Sequence, residues 1–147
     1  MMSYLTGIVG SFGASMFFGL MFHTPRHCLF TASSIGMISY LVYMLVLDWT
    51  GSVVGAAFTS SMVIASLSEV AARIHLSPAT IFASIAIIPL VPGGGLYRTM
   101  FYMVQNDFAQ AGVTGVETVL VAGCIALAIA IVTAFTKQAR PPRKNDD

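Results

Sequence analysis

The sequence predicts an all-α integral membrane protein of about five transmembrane helices, the fourth of them broken at a proline–glycine motif. Of the 147 residues, 56% are hydrophobic and only 9% are charged, whereas soluble domains carry about 25% charged residues. Several uncharged runs also approach the roughly 20 residues that cross a lipid bilayer. The formal net charge is +1, so no basic surface points to a nucleic-acid partner. Lipid is therefore the main solvent of this chain.

The first three spans are predicted at residues 2–22, 28–47 and 51–75. Small residues between Gly7 and Ser15 give the first span a surface that another helix can approach closely. The second span ends at Asp48-Trp49-Thr50-Gly51, where an acid, an aromatic residue and a glycine predict a turn at the membrane interface. The third span opens with Gly51-x-x-x-Gly55, a second close-packing pattern, and is free of charge as far as Glu69.

The fourth span is predicted at residues 78–104, with a break at residues 89–95. Ser77-Pro78 is a helix start signal, because serine can cap exposed amides and proline at the first position has no amide to lose. The apolar run from Pro78 to Leu90 covers only about 20 Å of roughly 30 Å of hydrocarbon. Two prolines and three glycines follow, from Pro89 to Gly95, and a continuous helix does not tolerate them easily. The crossing is completed only by the helical run after the break.

The fifth span is predicted at residues 115–136, after a loop that runs from Asn106 to Gly112. Thr114-Gly-Val-Glu117 has the spacing of a capping box, which assigns Glu117 to the start of that helix. Residues 1–136 then form one transmembrane domain, and residues 137–147 form a polar cytoplasmic tail.

Charge placement orients these five spans with the N-terminus outside and the C-terminus in the cytoplasm. Six of the seven basic residues then lie on the cytoplasmic side, as the positive-inside rule requires, and only Arg98 lies elsewhere. The six are Arg26, Arg73, Lys137, Arg140, Arg143 and Lys144. An odd number of spans also suits one half of an inverted-repeat assembly of ten spans. A four-span arrangement stays open if residues 78–104 are re-entrant.

The candidate substrate site lies at the break in the fourth span. Irregular backbone inside a membrane leaves costly unpaired groups, and transporters use such half-helix N-termini to bind anionic substrate groups. Arg98, just after the break, could form a bidentate pair with a carboxylate. The proposed substrate-binding residues are Pro92, Gly93, Gly94, Gly95, Tyr97 and Arg98. The alternative is a tight loop at the membrane surface, with Arg98 extending its side chain toward water.

Glu69 and Arg73 lie four residues apart on one helix face, with the acid first. They are candidates for gating or for ion coupling, and the alternative is a surface ion pair of little energetic weight. The sequence contains no catalytic triad and no nucleotide-binding loop, so an enzyme is not predicted. No cofactor and no metal site are predicted either, since His23 and His27 flank a proline and lack a third ligand nearby.

The order Arg73, Ser77-Pro78, a short apolar run and Pro89-Leu-Val-Pro-Gly-Gly-Gly-Leu-Tyr-Arg98 resembles the C-terminal half of the threonine/serine exporter family. In some bacteria that half is a separate small subunit, and enterobacterial split pairs of this kind are associated with succinate export. The resemblance implies an inner-membrane exporter of hydroxy amino acids or of a dicarboxylate such as succinate. It also implies a second multi-span subunit, and therefore a homo- or hetero-oligomer in the bilayer. A non-transporting accessory subunit, which only stabilises its partner, is the alternative.

Overall fold

The computed structural model describes residues 2–138, which form six α-helices and one short 3₁₀ turn and contain no strand. The all-α prediction is confirmed. The helices are α1 (Met2–Met21), α2 (Arg26–Thr50), α3 (Val53–His75), α4 (Ala79–Ala86), α5 (Gly93–Val104) and α6 (Phe108–Gln138). The 3₁₀ turn, Ile88–Leu90, lies between α4 and α5.

Three helices are long and apolar enough to cross a membrane, namely α2, α3 and α6 as far as Thr136. The segments Ala79–Leu90 and Gly93–Val104 meet at an angle of 51° and form either a broken fourth span or a re-entrant loop, so the predicted break in this helical segment is confirmed. The apolar part of α1, Leu5–Met21, is shorter. A total of five spans therefore remains a prediction, because it depends on whether α1 crosses the membrane.

The helix α3 lies at the centre of the bundle, where it packs against α2, α4 and α6, while α1 packs mainly on α2. Ile64 of α3 and Phe82 of α4 are fully buried in the core. Gly36 of α2 allows a close approach of two other helices, because a Cβ atom there would lie 2.5 Å from Ser15 Oγ and 3.3 Å from the carbonyl oxygen of Ala86. Three helices thus meet at one glycine, and the end of α4 is fixed within the core.

Buried serine hydroxyls are frequent in α2 and α3, and four of them use their hydrogen bonds within their own helix. Each donates to the carbonyl oxygen four residues earlier, at 2.7–2.9 Å. These serines are Ser33, Ser39, Ser60 and Ser61. Small side chains whose polar groups are already satisfied let apolar helices approach closely without a buried unpaired group.

The predicted turn at Asp48–Gly51 begins later than expected, because α2 continues to Thr50 and only Gly51 of the four residues lies outside the helix. Gly51 ends the helix in the left-handed conformation, with φ of 66°, and its N–H donates to the carbonyl oxygen of Leu47 at 2.8 Å. A C-terminal glycine of this kind determines the end of a helix more strongly than polar composition does.

The predicted loop at residues 106–112 ends earlier than expected, because α6 begins at Phe108, and the predicted capping box at Thr114–Glu117 is wrong, because these residues lie inside α6. Asp107 is the residue that caps it, since its Oδ1 accepts a hydrogen bond from the N–H of Gln110 at 3.2 Å. Thr114 lies inside the helix and donates to the carbonyl oxygen of Gln110 at 2.6 Å. The helix also extends through Gln138, two residues into the predicted tail, and residues 139–147 lie outside the described part.

Candidate functional site

The break between α4 and α5 occupies residues 87–92, slightly earlier than the predicted 89–95. Ile87 still donates to the carbonyl oxygen of Ala83 at 3.0 Å, and Leu90 then closes a tighter turn onto the carbonyl oxygen of Ile87 at 2.8 Å. The three glycines form the first turn of α5 instead of the break itself. The reason is that Pro92 occupies the N-cap position with φ of −75°, and the glycines after it adopt helical angles without difficulty.

The N-terminus of α5 is open on one side. Three of its first four amides donate to carbonyl groups of the break, from Gly93, Gly95 and Leu96 at 2.7–3.2 Å. The remaining amide, that of Gly94, has no such acceptor in the break. Gly93 and Gly94 are exposed, and a Cβ atom on either would meet nothing within 4 Å. A helix N-terminus with a free amide is a favourable place for an anionic group.

Gly95 has a different role, because it brings α5 onto α6. A Cβ atom at Gly95 would overlap the side chain of Thr118, so only glycine allows this approach. One turn further along, a Cβ atom at Gly115 of α6 would lie 3.3 Å from Cγ2 of Thr99. The two helices therefore pack through small residues facing each other, and this packing places Arg98 beside α6.

A cavity of about 260 Å³ opens where α5 and α6 meet the ends of α2 and α3. We name it the Arg98–Glu117 cavity after the two charged residues on its wall. Its lining consists of Tyr43, Val53, Pro92, Gly94, Gly95, Arg98, Thr114, Glu117, Thr118 and Val121. The two charged side chains are exposed, and within the described residues no ion pair joins them. One cavity thus presents a positive and a negative group that do not neutralise each other.

Four of the six predicted substrate-binding residues, Pro92, Gly94, Gly95 and Arg98, line this cavity. The other two, Gly93 and Tyr97, do not. The Tyr97 ring is exposed and stacks on Phe101, with ring centroids 6.2 Å apart.

Sequence reasoning missed Glu117 and Tyr43 as parts of this site. Glu117 was assigned to a helix cap, but it lies well inside α6. A signal was present, because an ionisable residue within a membrane-spanning run indicates a functional site by default. Tyr43 gave no local signal, since it reaches the cavity from α2, far away in sequence.

The predicted gating or coupling pair, Glu69 and Arg73, is divided between two environments. Glu69 is buried, with 8% of its surface exposed, and Arg73 is exposed. Glu69 lines a second cavity of about 270 Å³, which we name the Ser68–Glu69 cavity, and Arg73 does not line it. Along α3 the nearest lining residues of the two cavities, Val53 and Ala65, lie about 18 Å apart at 1.5 Å per residue.

In a comparison with protein families, residues 7–135 match a family described as "Threonine/Serine exporter, ThrE". The matched region contains both cavities and the broken span. No curated protein and no solved structure matches the chain.

Proposed function

Since the chain belongs to the threonine/serine exporter family, a family of membrane transporters and not of enzymes, we propose that it exports threonine and serine as a transmembrane subunit. The observation that carries the proposal is the presence of Arg98 and Glu117 on one cavity wall without contact between them. Threonine and serine are zwitterions at neutral pH. A wall with two separated charges of opposite sign matches such a substrate.

In this proposal Arg98 binds the substrate carboxylate. Its planar guanidinium group can donate two parallel hydrogen bonds to the two carboxylate oxygens. The free amide of Gly94 and the positive end of α5 lie on the same wall and favour the same negative charge. Glu117 receives the ammonium group from the α6 side. The phenol of Tyr43 and the hydroxyls of Thr114 and Thr118 are available to a substrate hydroxyl.

The charge of Glu117 also favours an amino acid over a dicarboxylate such as succinate. The second carboxylate of a dicarboxylate bound at Arg98 would lie near Glu117, and two like charges repel strongly where little water screens them. Replacing Glu117 by a neutral residue of the same shape removes this repulsion, which makes the preference open to a direct test.

The proposal includes a second multi-span subunit in the inner membrane. Arg98 is exposed on α5 and no residue of α5 is buried, although a charge facing lipid is costly. A partner that completes the wall would shield this charge. We propose the ten-span inverted-repeat arrangement, with the N-terminus outside, the C-terminus cytoplasmic and the broken span at its centre. Glu69 and Arg73 act in gating or coupling at the other end.

The test is efflux of labelled threonine, serine and succinate from cells that produce the chain with its partner subunit. Arg98→Ala and Glu117→Gln are compared with wild type at matched membrane levels. Each is expected to lower threonine efflux about 10- to 100-fold, since a hydrogen bond to a charged group contributes roughly 1.5–3 kcal/mol. Asp48→Asn is the control, because Asp48 is exposed on α2 and lies outside the cavity.

The two variants also distinguish the substrates. Glu117→Gln is expected to raise succinate efflux relative to threonine efflux, whereas Arg98→Ala is expected to lower both. If both variants export threonine at the wild-type rate, the Arg98–Glu117 cavity is not part of the transport path. The chain would then be better described as the accessory subunit that stabilises its partner.

A further inference from the structure

The Arg98–Glu117 cavity receives a third polar group from a third helix. Arg98 belongs to α5 and Glu117 to α6, whereas Tyr43 reaches the cavity from α2. Tyr43 is half-buried, and its ring stacks on the ring of Tyr40 one turn earlier, with centroids 6.0 Å apart and 23° between the ring planes. A stacked neighbour restricts the rotation of the ring. The phenol of Tyr43 is therefore a fixed polar group at some distance from both charges along the chain.

The hydroxyl groups of this cavity differ in whether their protons are already used. Thr114 Oγ1 donates to the carbonyl oxygen of Gln110, and Thr118 Oγ1 donates to the carbonyl oxygen of Thr114, both at 2.6 Å. The two threonine oxygens can therefore only accept a further hydrogen bond. The phenol of Tyr43, by contrast, makes no hydrogen bond within the described residues. The cavity thus combines one unpaired phenol donor with two hydroxyl acceptors.

A hydroxyl group on the substrate matches this combination, because a hydroxyl both accepts and donates a hydrogen bond. A methyl group or a hydrogen atom in its place would leave the half-buried phenol without a partner, which costs free energy. Sites that bind a substrate hydroxyl reject analogues that lack it for this reason. In the proposed function Arg98 and Glu117 already hold the carboxylate and the ammonium group, so the third contact is made by the substrate side chain.

We propose that Tyr43 is a specificity-determining residue, whose phenol donates a hydrogen bond to the side-chain hydroxyl of the exported amino acid. The same substrate hydroxyl donates its proton to a threonine oxygen of α6. The inference rests on the proposed function, because it requires an amino acid held between Arg98 and Glu117. It assigns to α2 the group that distinguishes threonine and serine from amino acids without a hydroxyl.

The test compares L-threonine with L-2-aminobutyrate, which differs from it only by the missing hydroxyl oxygen. Uptake of each labelled amino acid is measured in everted membrane vesicles that contain the full chain and its partner subunit. At low concentrations the ratio of the two initial rates reports the difference in recognition. Tyr43→Phe is expected to lower the threonine to 2-aminobutyrate ratio about 2- to 10-fold, as the loss of one neutral hydrogen bond predicts.

Tyr40→Phe is the matched control. Tyr40 lies one turn away on the same helix, is also half-buried and does not line this cavity, so the ratio should stay at its wild-type value. A second readout is the discrimination between L-threonine and L-allo-threonine, which differ only in the direction of the hydroxyl. This discrimination should also shrink in Tyr43→Phe, whereas a purely structural role of Tyr43 would not change it.

The outcomes separate this inference from the proposed function. If Arg98→Ala lowers uptake of both amino acids but Tyr43→Phe leaves their ratio unchanged, the proposed function stands and the inference is overturned. An equal fall of both amino acids in Tyr43→Phe also overturns it, because Tyr43 would then support the cavity without binding the hydroxyl. If Arg98→Ala and Glu117→Gln change the uptake of neither amino acid, the proposed function fails and the inference fails with it.

Discussion

The two halves of the broken span differ in how the rest of the molecule holds them. The helix α4 is short, but Phe82, Ile85 and Ala86 are buried and it packs against α1, α2 and α3. The helix α5 is longer, has no buried residue and packs chiefly on α6. The half that carries Arg98 is therefore the less constrained half. In the proposed exporter, α4 is the fixed half-helix in the core, and α5 is the half-helix proposed to face the substrate.

The largest expected effect concerns the fixed half. Phe82→Ala should lower the free energy of unfolding by about 3 kcal/mol, because Phe82 is fully buried and its removal leaves a cavity. Leu96→Ala in α5 should change it by about 0.5 kcal/mol or less, since Leu96 is largely exposed. Unfolding of the purified chain in detergent, followed by circular dichroism, measures both. Equal losses would mean that α5 is as firmly anchored as α4.

An intermediate effect is expected where α5 meets α6. Gly95→Ala should cost about 1–3 kcal/mol, because its Cβ atom would overlap Thr118 and force the helices apart. Gly94→Ala is the matched control, since a Cβ atom there has free space, and it should leave stability unchanged or slightly raised.

A double variant sharpens this comparison. Adding Thr118→Ala to Gly95→Ala removes the overlapping oxygen and methyl group, so part of the lost stability should return. The same unfolding measurement applies. If the stability changes of Gly95→Ala and Thr118→Ala simply add in the double variant, the overlap is not the cause of the stability lost in Gly95→Ala.

The smallest expected effect concerns the corner between α5 and α6. Asp107→Ala removes the side chain that caps α6, and it should cost about 1 kcal/mol. Ser52→Ala removes the equivalent cap of α3, where Ser52 Oγ accepts from the N–H of Gly55 at 3.2 Å, at a similar cost. Amide hydrogen exchange should distinguish them, because only Asp107→Ala should speed exchange in α5. Faster exchange in α4 as well would contradict the division between the two halves.

The break in the fourth span was predictable because its causes are local. Pro89 and Pro92 lack an amide hydrogen, and a short apolar run before them cannot cross a bilayer alone. The position of the break was less predictable, since the glycines after Pro92 tolerate both helical and irregular backbone. The start of α6 was mispredicted for a similar reason. Gln110 and Gly112 are typical of a loop, but Ala111 between them is buried and tertiary packing keeps this segment helical.

The cavities were only partly predictable. The motif after the break identified Arg98, Gly94 and Gly95, but the opposite charge comes from Glu117 on another helix. Ser68 gave no signal either, because the sequence does not show which of the serines in α3 lacks its bond within the helix. Both features depend on which helices become neighbours, and no local pattern reports that.

The buried serines of α2 and α3 have a mechanical consequence. Since Ser33, Ser39, Ser60 and Ser61 bond to their own helices, these hydroxyls add no directional link across the middle of the bundle. Neighbouring helices there can slide past one another without breaking a serine hydrogen bond. At one end, by contrast, Thr31 Oγ1 and His75 Nε2 join α2 to α3 at 3.0 Å. The interface of α2 and α3 is therefore linked by a side-chain hydrogen bond at its His75 end, while its buried serines leave the middle of the interface to side-chain packing.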